Sequence, residues 1–552
     1  MTEVVIDIET DGLNPSKIHC ISCLDRQEDL VRTYVSNKDN CVGQYLSRFD
    51  KVIAHNGCGF DFRVLSQLWG INLPFSVLQD TLIMSMMSEH NPQGGHSLQA
   101  WGERLGFPKM DYQGGWERLT DEMVEYCEQD VRVCSKVYDV VTKALSNFSH
   151  ESIRTEHMMK IVSERISRVG FKLNKQSTIE LYNQLLEEQD KISLQCKTIF
   201  PPKIIDRGYS EKTGKKLKDK VIEFNPASRQ QIGERLIELG WKPKKLTDTG
   251  KPKVDETTLG ECPLEEAQVF ARYFLLQKRT SQIKSWLKHC SEQGRVHCEY
   301  RTLGAITNRM SCVNPNLQQI PAVRTPYGKE CRQVWEASPG KILIDTDASG
   351  LELRVLAHYM NDKKFIQELL TGDVHTANQK MAGLKTRDQA KTFIYALLYG
   401  AGDAKIGAVV DGSYKQGSKL RERFMKNMPA YRKFSEEVIK KGTTKGKLKA
   451  IDGRILDVRS AHASINTLIQ GSSAVLMKEW FIQTDKVLRQ EKANANIVAM
   501  VHDEMVIEAE ESACTIVRDS VKEAMSRVND KFKLRCPLDC DFQTGKNWSE
   551  IH

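Results

Sequence analysis

The sequence predicts an α/β multidomain protein, and three observations carry that reading. At 552 residues the chain is long enough for roughly three or four domains, and its 40% hydrophobic and 28% charged residues are those of globular protein able to bury sizeable cores. Two apolar runs rich in β-branched residues, EVVIDIET (Glu3 to Thr10) and KILIDTD (Lys341 to Asp347), read as buried strands that carry paired acids. Between them run long stretches of helical periodicity, EHMMKIVSERISRVGF and STIELYNQLLEEQDKISLQCKTIF among them, with Gly170 as a stop.

Charge is distributed unevenly. The net charge is +8, yet residues 1 to 145 hold 13 Lys+Arg against 21 Asp+Glu, leaving 67 against 51 for the rest. An acidic front therefore precedes a basic body, which suits a polyanion partner and is equally the charge of a plain solvated surface. The odd count of 15 cysteines without regular spacing points to a reducing compartment. The one CxxC, Cys20 and Cys23, lies in an apolar stretch and reads as two small core residues rather than a zinc site. Met1 leads directly into an acidic strand and no apolar run approaches ~18 residues, so the chain is expected to be neither secreted nor membrane-spanning.

In the front segment Asp7 and Glu9 share one face of the first strand by its two-residue period. VIAHNGCGFDFRVL (Val52 to Leu65) adds a second strand and a Gly-containing loop leading to Asp61. LTDEMVEYCEQDVRVCSKVYDVV reads as a helix with Tyr126 and Asp130 four apart on one face. Asp80, in LQDTLIM, reads as a structural acid before a helix. Four acids and a tyrosine that can converge suit two-metal phosphodiester hydrolysis, in which carboxylates hold two divalent ions and Tyr126 could orient the attacking water.

Pro201 to Lys220 loses periodicity and sets seven Lys/Arg against three acids, an exposed basic loop or hairpin. FNPASRQQIGERLIELGW then resumes a helix with Asn225 and Ser228 as start signals. RTLGAITNRMSCVNPNLQQIP (Arg301 to Pro321) offers Arg309, Asn316 and Gln318 as groups able to hydrogen-bond a duplex edge, unless it is simply an extended loop.

The second acidic strand ends in Asp345 and Asp347 and turns into a helix, with Ser349 and Glu352 spaced as a capping box. In KTRDQAKTFIYALLYGAG, Arg387, Lys391, Tyr395 and Tyr399 recur every four residues on one stripe, with Phe393, Ile394, Leu397 and Leu398 on another. Cations at a helix start suit a polyphosphate, and aromatics farther along suit a sugar or base. From Lys415 to Arg459 there are 14 Lys/Arg against five acids, a strand-binding surface or a solvated face. NIVAMVHDEMVIEAEE (Asn496 to Glu511) reads as two strands about a tight His502-Asp503-Glu504 turn, which supplies a second acid for Asp347.

DIE, then NGCGFD, then YCEQD resembles the 3′→5′ proofreading exonucleases of the DEDD group, and Tyr126 places it in the tyrosine subtype. DASGLELR, then RxxxKxxxYxxxYG, then HDE resembles the family A DNA polymerases, nearest to the replicative enzymes of T-seven-type bacteriophages, over nearly the whole chain. The resemblance implies an RNase H-like exonuclease domain (1–146), a linker helix and helical thumb (147–284) with the short basic loop 201–220, and a right-hand polymerase. Its palm, an antiparallel sheet, would comprise 285–360 and 463–552, with helical fingers at 361–462. It implies Mg²⁺, two ions per site, held by Asp347 and Asp503 in the polymerase and by Asp7, Glu9, Asp61 and Asp130 in the exonuclease, where Tyr126 is catalytic. Arg387, Lys391 and His375 would meet the triphosphate, Lys391 also serving catalysis. Tyr395 and Glu352 would fill the space of a 2′-hydroxyl. Arg309, Asn316, Gln318, Gln470 and His502 would read the minor groove.

The partners it implies are primer-template DNA, dNTPs, a phage helicase-primase and a single-strand binding protein, in the cytoplasm of an infected bacterium. Thioredoxin is not expected, because the thumb insertion is short. A single-subunit RNA polymerase relative would not be expected to carry Glu352 with Tyr395 or a proofreading front domain. A decayed DNA-binding factor is disfavoured by acids intact at Asp7, Glu9, Asp61, Asp130, Asp347 and Asp503.

Overall fold

The computed structural model describes residues 1–372 and 374–552, the side chains of Val374, His375 and Ala377 lying outside the description. The chain divides into two compact units. The first comprises Met1–Val169, Glu299–Val313 and Ile344–Gln543; the second comprises Gly170–Cys298, Asn314–Leu343 and Thr544–His552.

The first unit begins with a five-stranded sheet in the order β3-β2-β1-β4-β5, made of β1 (Glu3–Thr10), β2 (Ile18–Asp25), β3 (Leu30–Tyr34), β4 (Lys51–Ala54) and β5 (Leu78–Asp80). β1 pairs antiparallel with β2 and parallel with β4. Val4, Val5, Ile6 and Ile8 are buried, so β1 is the central strand, enclosed on both faces, and its acids can only face a pocket. Cys20 and Cys23 lie buried in β2 as free thiols, core residues as expected. The long helix Asp121–Ala144 packs across β1 and β2, burying Cys127, Val131, Cys134 and Val141.

The next helix, His150–Val169, ends at Gly170, whose φ of 66° no longer continues a right-handed helix. It lies against the largely buried helix Ser464–Gln490. An ionic group joins the two elements. Glu156 accepts from Arg454 and from Lys478 (2.6 Å), and Arg454 also pairs with Asp452 at 2.8 Å. All four side chains are at most 1% exposed.

A second sheet has the order Ala495–Val501, Glu504–Glu510, Lys341–Ala348, Cys540–Gly545. The first two strands form an antiparallel hairpin closed by His502 and Asp503, with Val501 opposite Glu504 and His502 at φ 56°. The tight turn expected from the sequence is therefore present. The Arg387–Leu398 helix starts with a true capping box, Thr386 with Gln389, and buries Phe393, Ile394, Leu397 and Leu398.

The capping box expected at Ser349 and Glu352 is not formed. Gly350 is the residue before the Leu351–Met360 helix, at φ 61°, and no side chain caps that helix. Ser349 donates instead to Asp541 Oδ2 at 2.7 Å, and Glu352 is drawn to partners elsewhere. A glycine in the left-handed region turns the chain too sharply for Ser349 to reach back into the first turn.

The second unit is mainly helical: Lys175–Ile199 packs along Glu265–Lys288. At one end Phe171, Trp286, Trp335 and Trp548 form a buried ring cluster, with centroids 5.3 to 6.4 Å apart, that holds the C-terminal residues. Phe200, Phe224 and Phe270 form another. The basic segment is a hairpin of Lys203–Ile205 with Lys220–Ile222, from which Ile204, Ile205, Tyr209 and Val221 stand exposed. Among the described residues no helix is long and apolar enough to cross a membrane.

Candidate functional site

The first unit carries two carboxylate clusters. The front cluster gathers Asp7 and Glu9 from β1, Asp61 from the first turn of the Asp61–Trp69 helix, and Asp130 from the Asp121–Ala144 helix. Asp80 sets the approach of Asp61. It accepts from the amides of Asn56 (3.0 Å), Cys58 (2.9 Å) and Leu82 (3.0 Å), pinning the Gly-containing loop to the start of the next helix. This is the structural role expected of it.

Burial acts on all four acids, and repulsion from the other acids of the cluster adds to it at Asp7 and Glu9. Burial first, then the charges of Asp130, Glu9 and Asp61, lifts Asp7 well above the ordinary carboxylate range. Burial and Asp130 push Glu9 up to about 8. Burial lifts Asp61 to about 7, although its own amide and that of Ile8 pull the other way. Burial takes Asp130 to about 6 against the opposing charge of Lys109. Ligand atoms of Asp7, Glu9 and Cys127 lie within 4.8 Å of one another, the thiol of Cys127 standing 3.5 Å from Asp7 Oδ2. Asp130 Oδ1 is buried and has no hydrogen-bond partner among the described residues. Crowded acids lifted in this way, with one orphaned oxygen among them, are the environment a divalent cation relieves, and an all-oxygen acid set matches Mg²⁺.

Tyr126, one turn before Asp130, accepts from Lys109 Nζ at 2.7 Å. Lys109 also reaches Asp130 Oδ2 at 2.5 Å. Nothing in the sequence marks Lys109, which lies in an irregular segment between two helices. Glu125 is exposed and takes no part in the cluster.

The second cluster lies at the end of the second sheet. Asp347 sits next to last in its strand, and the amide of the following residue, Ala348, donates to Asp503 O at 3.0 Å, bringing the hairpin turn beside it. Burial, then the charges of Asp503, Glu504 and Asp541, raises Asp347 to about 7. Burial raises Asp503 as well, with His502 and Arg309 opposing. Glu504, the last residue of the HDE motif, and Asp541, which lies outside every motif, are further acids of this cluster.

Glu352 is 8% exposed, accepting from Arg309 Nη2 at 2.6 Å and from the Tyr399 hydroxyl at 2.8 Å. Tyr395 stacks obliquely beside Tyr399, centroids 6.2 Å apart, and burial followed by the Glu352 charge lifts its phenol. Arg387 and Lys391 are exposed along the same helix. Gln470 is half-buried on the Ser464–Gln490 helix and His502 is exposed in the turn. Asn316 and Gln318 belong to the second unit, where the Asn316 side chain accepts from the Gln318 amide at 3.0 Å. The side chain of His375 lies outside the described residues.

The sequence profile of DNA polymerase family A matches residues 207–550, and that of the RNase H superfamily matches residues 4–107. The DNA-directed DNA polymerase of Escherichia phage T7 is 30% identical over 706 aligned positions, covering 100% of both chains. That of Enterobacteria phage T3 is 29% identical over 707, again covering 100% of both. Both alignments are longer than the chain of 552 residues, so these relatives carry insertions that it lacks. Among solved structures, the polymerase domain of Pol1 from M. smegmatis, in complex with DNA primer-template and dNTP, superposes with a TM-score of 0.82 at 17% identity, covering 100% of this chain and 96% of that one. At that identity the likeness is one of fold.

Proposed function

The chain belongs to the family A DNA polymerases, with an RNase H-superfamily domain in front, and from that premise we propose which residues carry each of its two activities. It is a DNA-directed DNA polymerase with an associated 3′→5′ proofreading exonuclease, related to the T7- and T3-type phage replicative enzymes. Catalysis in this family uses divalent metal. Mg²⁺ would be held by Asp347 and Asp503 for synthesis and by Asp7, Glu9, Asp61 and Asp130 for proofreading, the two sets of acids the fold gathers. Bound there, it supplies charge neutralisation and a lowered pKa for the attacking hydroxyl or water.

The protein's own groups do the rest. Arg387, Lys391 and His375 meet the triphosphate, and the positive charge of Lys391 neutralises the departing pyrophosphate. Glu352, clamped by Arg309 and Tyr399, cannot swing aside, so with Tyr395 it walls off the space of a 2′-hydroxyl. Arg309, Asn316, Gln318, Gln470 and His502 contact the primer-template minor groove, whose acceptors vary least with sequence. In the front domain Tyr126 orients the attacking water. Partners are primer-template DNA and dNTPs, with a phage helicase-primase and single-strand binding protein, and without thioredoxin.

The observation that carries this reading is the junction of Asp347 and Asp503 within the segment matched by the family profile. The test is primer extension in Mg²⁺ on a primed single strand. With dNTPs the primer should lengthen, and without them it should shorten from its 3′ end. A protein that does neither would overturn the reading.

A further inference from the structure

Lys109 is the one cation whose charged end touches the front cluster among the contacts described, and its surroundings are built to keep it there. Its ammonium bridges the Tyr126 hydroxyl (2.7 Å) and Asp130 Oδ2 (2.5 Å), with side-chain exposure of 15% for Lys109 and 5% for Asp130. The backbone on its N-terminal side is pinned twice. Phe107 N donates to Gly102 O at 2.9 Å, and Gln129, the neighbour of Asp130, donates from Nε2 to Pro108 O at 2.9 Å. Gly102 makes room for this, since a Cβ there would stand 2.9 Å from Phe107 O and 3.1 Å from Pro108 Cα.

We propose that Lys109 is a positioning residue of the exonuclease, a tethered cation that fixes the Tyr126 hydroxyl against Asp130 and competes with divalent ions for the negative charge of the cluster. The proposal rests on the assignment of Asp7, Glu9, Asp61 and Asp130 as the metal-holding acids. Two divalent ions bring four positive charges to four carboxylates, so a fifth, fixed charge makes the last ion bind more weakly. The same ammonium holds the phenol that orients the attacking water. Its removal therefore has opposite effects on two observables: metal binds more tightly while cleavage slows. A lysine that merely braced the loop would weaken both together.

The test uses the full-length chain carrying Asp347→Asn and Asp503→Asn, so that tightly bound Mn²⁺ reports the front site. Mn²⁺ titration followed by electron paramagnetic resonance, and the rise in melting temperature on adding Mn²⁺, are compared for this protein and its Lys109→Met and Lys109→Arg derivatives. Single-strand degradation is measured in parallel. Lys109→Met should bind Mn²⁺ several-fold more tightly, gain more melting temperature from it, and degrade DNA about tenfold more slowly at saturating metal, with little change in KM. Lys109→Arg should return both quantities toward the parent. Unchanged Mn²⁺ affinity, or weaker binding together with slower cleavage in a protein of normal far-ultraviolet circular dichroism, would overturn the proposal. Failure of the metal-site assignment looks different: the parent would then hold no Mn²⁺ that Asp7→Ala with Glu9→Ala removes.

Discussion

In the front cluster the acids come from a central strand, a helix start and a long helix, and a lysine lies among them. In the second cluster Asp347 and Asp503 come from one strand end and one hairpin turn, and the arginine beside them is bonded to Glu352. The front cluster holds one lysine bonded to one of its four acids, whereas Arg387 and Lys391 stand exposed on a helix of the same unit as the second cluster. One fixed positive charge against four acids leaves the front cluster strongly negative until divalent ions arrive. On the proposed assignment the second cluster receives a triphosphate, which brings its own negative charge, and the cations assigned to meet it, Arg387 and Lys391, lie on a separate helix.

The largest expected effect separates the two clusters. Asp503→Ala should abolish primer extension while degradation persists, and Asp7→Ala with Glu9→Ala should do the reverse, as gel assays of the two reactions would show. Loss of both activities from either change, in a folded protein, breaks the comparison. Next in size is Tyr126→Phe, which removes the hydroxyl bonded to Lys109 and should slow degradation about 10²-fold, at the lower end for a proton-handling group, without affecting extension. Glu352→Ala should relax discrimination against ribonucleotides, read as the ratio of kcat/KM for the two sugars. It should also cost about 1–3 kcal/mol of stability, because Arg309 loses its carboxylate partner. Unchanged selectivity with lowered Tm would reduce Glu352 to a structural partner.

A smaller effect is expected from pH. Glu9, Asp61 and Asp347 have folded-state values of about 8, 7 and 7, above the ordinary 3.8 to 4.5. A raised acid favours the folded state most below its unfolded pKa, and that contribution is lost as pH rises through the folded value. In EDTA, Tm should therefore decline from about pH 4 toward pH 8, and the gain on adding Mg²⁺ should grow over the same window. A flat metal effect across that window would show that the acids do not bind the ion. The smallest expected effect is none: reduced thioredoxin should leave product length unchanged under single-hit conditions. A several-fold lengthening that deletion of Arg207 to Lys218 removed would show that the hairpin tip, where Tyr209 stands exposed, belongs to a docking surface.

What could be read from the sequence was whatever is local and periodic. The alternation in EVVIDIET put Asp7 and Glu9 on one face, the four-residue spacing put Tyr126 beside Asp130, and Asp80 before an apolar helix was legible as a structural acid. The misreading of Ser349 and Glu352 had a local cause as well, since the pattern of a capping box was present. It was overruled by Gly350 and by partners far off in sequence, Asp541 for Ser349 and Arg309 and Tyr399 for Glu352. Lys109 left no trace because a single lysine in an aperiodic segment looks like any surface lysine. Its role arises only when the chain places it against Asp130.

The buried group of Glu156, Asp452, Arg454 and Lys478 bears on how the protein can be dissected. A polymerase fragment cut to begin at Gly170 would discard Glu156 and leave Lys478 without the carboxylate that accepts from it, and Arg454 with one carboxylate in place of two, all of them buried. Stripping one partner from a buried ion pair costs about 3–5 kcal/mol, a large share of what keeps a domain folded. A cut ahead of His150 keeps this buried group whole but breaks the bond from the Asp80 amide to His157 Nε2 (2.7 Å), which ties the same helix to the front segment.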